Sequence, residues 1–197
     1  PVTSTSDGRS YGVEFLAQQK LNINFYGILS VTYVVSEFED KNGEYAPSSW
    51  DNRTIIALTA GKKFKKNWEA GLKWRFSGGL PYTPFDKEFS SLIYFWDINR
   101  QGLVDFDRLN EERLAPYHQL DIRIDKKWFF DEWNLDVYVD IQNVYNFQTE
   151  LQPLIDVVRD VDGYFVVDPE DTCRYLIYEL ENVSGTLLPS IGLIIEI

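Results

Sequence analysis

The strongest constraint on this chain is a period of two. Between Trp68 and Phe76, the residues Trp68, Ala70, Leu72, Trp74 and Phe76 alternate with Glu69, Gly71, Lys73 and Arg75. An extended strand therefore puts every apolar side chain on one face and three charges and a glycine on the other. The segment His118 to Trp128 repeats the pattern, with Leu120, Ile122 and Ile124 opposing Asp121, Arg123 and Asp125. So does Asn134 to Asn143, with Leu135, Val137, Val139 and Ile141 opposing Asp136, Tyr138, Asp140 and Gln142. In the last stretch Ile191, Leu193, Ile195 and Ile197 share one side, and Ser190, Gly192, Ile194 and Glu196 share the other. An apolar strand left at the edge of a water-soluble sheet invites aggregation. A closed barrel in a bilayer gives such strands a neighbour on each side and apolar surroundings outside.

The connections predict the same architecture. Strands are expected at Gly8 to Lys20 and Ile23 to Ser36, after a polar lead over residues 1–7 and with a turn at Lys20-Leu21-Asn22. Asp51 to Phe64 and Trp68 to Phe76 are joined by Lys65-Lys66-Asn67, and Phe129 to Trp133 turns the chain between the next two. Long excursions follow Glu37, Ser77 and Val144, the last with hairpins of its own at Asp162-Gly163 and near Asp168 to Asp171. Short turns at one end and long loops at the other are the asymmetry of an outer-membrane barrel. Phe64, Trp68, Trp128, Phe129, Phe130 and Trp133 gather at the short turns, as an interfacial aromatic girdle does. The fold class is thus all-β, an antiparallel meander of about seven long strands. Single-chain bacterial barrels have even strand numbers, so this meander, residues 1–197, is expected to be the C-terminal part of a larger barrel.

Composition agrees. Aromatic residues make up 16% of 197 residues, yet mean hydropathy is −0.29, and no run approaches the roughly 20 apolar residues of a spanning helix. The net charge of −12 argues against nucleic acid and anionic lipid headgroups as partners. The single cysteine, Cys173, forms no internal disulfide. With no methionine and Pro1 opening no signal peptide, the chain is expected to be a piece of a larger protein.

Four ordered motifs carry a resemblance. They are Tyr45 to Arg53 (YAPSSWDNR), Lys73 to Pro84 (KWRFSGGLPYTP), Tyr117 to Lys126 (YHQLDIRIDK) and Asp140 to Asn146 (DIQNVYN). With the closing Gly185 to Gly192, they resemble the end of TonB-dependent outer-membrane receptors of the Bacteroidetes type. The resemblance implies a barrel of roughly 22 strands in the outer membrane of a Gram-negative bacterium. It implies active import of a scarce nutrient, such as a metal chelate, cobalamin or oligosaccharide. The implied partners are the TonB complex through a plug domain this chain lacks, the barrel-assembly machinery through the C-terminal strand, outer-membrane lipid, the nutrient and a surface lipoprotein. No enzyme activity, cofactor or metal is expected.

In that reading Trp68, Leu72, Trp74, Leu120, Ile122, Leu135, Val137, Ile195 and Ile197 face lipid. Glu69, Lys73, Arg75, Asp121, Arg123, Asp125, Asp136 and Asp140 face the lumen. The same carboxylates can be read as a glycosidase pair, but a barrel's water-facing side is polar by default and a salt-bridged ladder is the expectation. His118, the only histidine, is expected at a strand end, and Asp160-Val161-Asp162-Gly163 at a hairpin turn and not in a calcium loop. The loop aromatics Tyr82, Phe85, Phe89, Tyr94, Phe95 and Trp96 are the ligand-contact candidates, the alternative being that they pack the loop onto itself. Two rivals stand beside this reading. A soluble glycan-binding β-sandwich would bury Trp68 and Trp74 between two sheets, and a passive porin would have no plug.

Overall fold

A computed structural model describes residues 6–197; the expected polar lead lies outside it up to residue 5. Seven long strands form one antiparallel meander: β1 (Gly8–Asn22), β2 (Phe25–Glu39), β3 (Thr54–Phe64), β4 (Trp68–Ser77), β5 (Tyr117–Phe129), β6 (Asn134–Gln142) and β7 (Leu188–Glu196). Each pairs with the next in sequence, and Tyr45–Pro47 folds back onto the end of β2. Among the described residues the outer edges of β1 and β7 have no partner, so the sheet is open.

The register explains why alternation in each strand becomes a face of the whole sheet. Trp68, Leu72 and Trp74 lie opposite Phe64, Ala60 and Leu58 on one side and Lys126, Ile122 and Leu120 on the other. The same rows continue through Ile141, Val139, Val137 and Leu135 to Ile191, Leu193 and Ile195. Residues directly opposite in an antiparallel pair share a face, so these positions build one continuous apolar surface. None of these positions is fully buried: Leu72 is 40% exposed, Ile124 45% and Ile191 78%, while Trp74, Leu120, Ile122, Leu135 and Val137 are half-buried. Val35 is the one hydrophobic side chain of the seven long strands that is fully buried.

Two boundaries differ from the sequence reading. The first turn falls at Ile23 and Asn24, both with positive φ (48° and 64°), and not at Lys20 to Asn22. Paired left-handed residues give a hairpin the twist its strands already have, and that match outweighs the cost of placing a β-branched residue there. Lys66 and Asn67 repeat the device at the next short turn, at 60° and 59°. β3 starts at Thr54 rather than Asp51, because the Asp51 carboxylate takes the Ser36 N–H at 2.9 Å and Arg53 adopts φ 59°. A side chain there replaces a ladder partner.

The three short turns lie at one end of the sheet and the three long connections at the other. The long connections are not structureless. The segment after β4 contains α1 (Lys87–Ser91) and α2 (Ile93–Asn99), and pairs Pro81–Tyr82 with Glu112–Arg113. Asp86 caps α1 by accepting the Phe89 N–H at 2.8 Å. The segment after β6 turns where expected, with single bridges between Arg159 and Phe165 and between Val167 and Tyr175. It also pairs Leu154–Val157 with Ile177–Leu180 and Thr149–Glu150 with Val183–Ser184, which the sequence reading did not anticipate. Trp96, Ile155 and Val157 form the hydrophobic core, with Phe85, Phe165, Tyr175 and Ile177 packed on it. The core of this chain lies in its loops, not on its sheet.

Candidate functional site at the loop end

Two layers build this end of the molecule: the polar face of the sheet, and the cap formed by the loops. On the polar face β4, β5 and β6 carry the eight charged residues expected to share it, and the register puts them there together. Arg75 reaches Asp121 at 3.3 Å, Arg123 grips Asp125 at 2.7 Å, and Lys127 meets Asp136 at 3.4 Å. Asp121 also accepts from the Gln119 amide at 2.5 Å and the Asn143 N–H at 3.0 Å. Glu69 stands directly opposite Asp125, a repulsive pairing, which is relieved because the Tyr26 hydroxyl donates to Glu69 at 2.8 Å while Arg123 holds Asp125. Lys73 and Asp140 share the face without an ion pair among the described residues. The ring of Tyr26 lies on Gly61 and that of Tyr138 on Gly192, where a Cβ would collide with it. Arg123 stacks 3.8 Å from the Tyr138 centroid. Most of these carboxylates are held by a cation or a donor, as the ladder reading requires.

Several residues quoted for the resemblance, joined by Asn110 and Arg113 from outside its motifs, fasten the loops to the sheet. Asp51 is fully buried and pairs with Arg53 Nε at 2.8 Å and with Arg113, which also donates to the Gly79 carbonyl at 3.0 Å. The buried Asn110 donates to the Pro47 carbonyl at 2.7 Å. Asn143, buried with φ 54°, donates to Phe147 O at 2.8 Å and Thr186 O at 3.3 Å; Asn146 accepts the Leu187 N–H at 2.9 Å. Together they tie the two ends of the last excursion. His118 sits at a strand end as expected, 2.7 Å from the Tyr145 hydroxyl and 4.0 Å from the Phe147 ring centroid. Asp51 and Asn143 stand in the quoted motifs without a role assigned to them, and Asn110 stands in none. A buried polar residue is silent in an alternation pattern, and only the positive-φ tolerance of asparagine gives a local signal.

Asp160 to Gly163 is the expected hairpin turn. Asp160 Oδ1 accepts the N–H groups of Asp162 (3.0 Å) and Tyr164 (2.8 Å), and Gly163 has φ 85°. The turn at Asp40 to Glu44 is built identically, with Asp40 Oδ1 accepting from Asn42 and Glu44 at 2.8 and 2.9 Å and Gly43 at φ 81°. These donors lower the Asp40 carboxyl pKa. Among the described residues no three His, Cys, Asp or Glu side chains come together as a metal site.

Between the two capping loops runs a cleft of about 640 Å³, lined by Tyr82, Phe85 and Pro153 together with carboxylates including Asp105, Glu112 and Glu179. Lys87 bridges it to Glu179 at 3.0 Å, and Arg108 is already taken by Glu111 and Glu112, each at 2.7 Å. An adjoining cleft of about 450 Å³ shares Tyr82 and Glu179 and adds Glu150 and Glu181. Burial, then Glu112 and Glu179, raise the Tyr82 phenol above its ordinary value. Aromatic side chains among hydrogen-bond acceptors suit a polyhydroxylated or cationic ligand.

The loop aromatics divide. Tyr82 and Phe85 line this cleft, and Phe85 and Phe95 line a neighbouring one of about 530 Å³. Phe89 (54%) and Tyr94 (76%) are exposed outside the main cleft. Trp96 is a correction: it is 3% exposed at the centre of the loop core, with no surface to offer a ligand. The largest apolar side chain of a short helix is the natural one for a small core to swallow. No protein-family model matches this chain, and no curated protein matches it.

Proposed function

We propose that this chain is a section of a transmembrane β-barrel that imports a nutrient across an outer membrane in the manner of TonB-dependent receptors. The observation that carries the membrane reading is the predominantly apolar face of the sheet, on which, among the described residues, Val35 alone is fully buried. Its charged positions lie near strand ends: Arg9 and Glu37 at the loop end, and Lys62 and Lys126 each at the last position but one on this face before a short turn. From Trp68 to Phe76 it spans eight residue steps, roughly 26 Å along the strand and about 20 Å in height at a barrel's usual tilt, close to the apolar band of such barrels. A sandwich needs a second sheet over this face. Trp68 is 45% exposed, and among the described residues the remaining strand pairs all belong to the loops.

The bare edges of β1 and β7 then belong against further strands of the same barrel, because in a bilayer unpaired backbone groups cost several kcal/mol each. Import, rather than passive flow, rests on the motif resemblance, and the acidic aromatic-lined cleft at the loop end is where the nutrient first binds. Antibody raised to this chain, applied to fractionated membranes of the source cells, tests the reading. A band much heavier than 23.0 kDa, confined to the outer membrane and shifting on boiling, is expected. A soluble band near that mass sinks it.

A further inference from the structure

We propose that the short-turn end of the sheet docks anionic phospholipid headgroups, through Lys62, Lys65, Lys66 and Lys126 set in a rim of Phe64, Trp68 and Trp128. This rests on the membrane reading above. Lys62 and Lys126 fall on the apolar face, in register with Ala70 and Trp68. Lys65 and Lys66 form the adjoining turn. Among the described residues none of these four makes an ion pair. Two of the cationic heads lie against rings: Lys62 Nζ is 5.6 Å from the Phe64 centroid, and Lys126 Nζ, which also donates to the Lys66 carbonyl, is 5.6 Å from Trp68 and 5.2 Å from Trp128. Stems along aromatic surface with ammonium groups pointing off its edge are how lysine sits at a membrane boundary.

The overall charge of −12 hides this surface, and net charge is the wrong measure at this end. The acidic excess sits in the loops, a strand length away, whereas a charge field decays over about 8 Å at physiological salt. Every arginine lies nearer the loops than these lysines. Asp131 and Glu132, on the neighbouring turn, do not pair with them. The next rows inward run through Ala60, Leu72 and Ile122 and then through Leu58, Trp74 and Leu120. A lipid whose acyl chains lie on those rows brings its phosphate level with the ammonium groups, and charge complementarity selects an anionic head.

The test is co-flotation of the full chain with vesicles of phosphatidylcholine alone, or mixed one to one with phosphatidylglycerol, at low and high salt. Each lysine near an anionic surface is worth about fivefold in partitioning. The K62Q/K65Q/K66Q/K126Q variant is therefore expected to lose at least about tenfold of the preference for the anionic vesicles, while K41Q/K87Q, at the loop end, keeps it. High salt should abolish the preference in the unaltered chain. Flotation with both vesicles and no preference overturns the headgroup site alone. Failure to float with either overturns the membrane reading and the site with it. A four-lysine variant with unchanged strand circular dichroism and undiminished preference also overturns the site.

Discussion

At the scale of single residues, Asp51 is the position on which most depends. A fully buried carboxylate must be matched by donors, and here Arg53, Arg113 and the Ser36 N–H supply them. Arg113→Ala leaves Arg53 in place, and Arg113 is itself about one-third exposed, so the expected loss is about 1–2 kcal/mol. It should appear as a lower melting temperature in detergent and as new proteolysis within residues 78–116. Asp51→Ala, removing the hub, should cost more than Arg113→Ala; equal or smaller loss would show that Asp51 is not the hub. Asp171 gives a pH dependence. The Cys173 N–H, and next Arg174, hold its carboxyl below the ordinary 3.8. Its contribution is thus complete above that ordinary value and lost as pH falls through the depressed one. Amide protection of Cys173 and Arg174 should be level from pH 5 to 8 and fall only below about 4. Loss near pH 6 would point to a different group.

At the scale of elements, the two long loops are one folded unit. Arg174 donates to Ser91 Oγ at 2.8 Å and to the Glu88 carbonyl, and the Ile93 N–H reaches Cys173 O at 3.0 Å, so α1 and α2 are stitched to the last excursion. Trp96 is the keystone of their shared core. Trp96→Ala is expected to cost the cap about 3–5 kcal/mol, with protease sites opening in both loops together while the strand signal in circular dichroism stays unchanged. Cleavage in only one loop would mean that the two fold independently.

At the scale of the molecule, the proposed membrane reading has the two faces of the sheet meet different solvents. Leu72→Arg places a cation in the middle of the apolar face and should destabilise the membrane-inserted form by about 2–4 kcal/mol. Lys73→Gln, one residue along and on the polar face, should be near neutral. Urea titration of the two variants in lipid vesicles compares them directly. Matched effects would mean that both faces meet water. In the proposed reading a membrane takes the place of the second layer that a soluble sheet would need.

Much of this was legible in the sequence because a strand's period of two is local. Trp68 to Phe76 declares both of its faces without reference to any partner, and the alternation of short and long connections fixes the order of a meander. The shared face of Glu69, Arg75, Asp121, Arg123 and Asp136 follows once the strands pair in sequence order. What only the tertiary structure decided lies where contacts are distant in the chain and irregular in period. Trp96 is a surface aromatic or a core residue depending on Ile155 and Val157, some sixty positions away. Asp51 becomes a hub only when Arg113 arrives. The sequence by itself determined the sheet, whose order is repetitive and whose environment is written into each strand. The tertiary structure decided the cap and its cleft, because loop packing has no repeat and its buried polar partners are chosen by geometry alone.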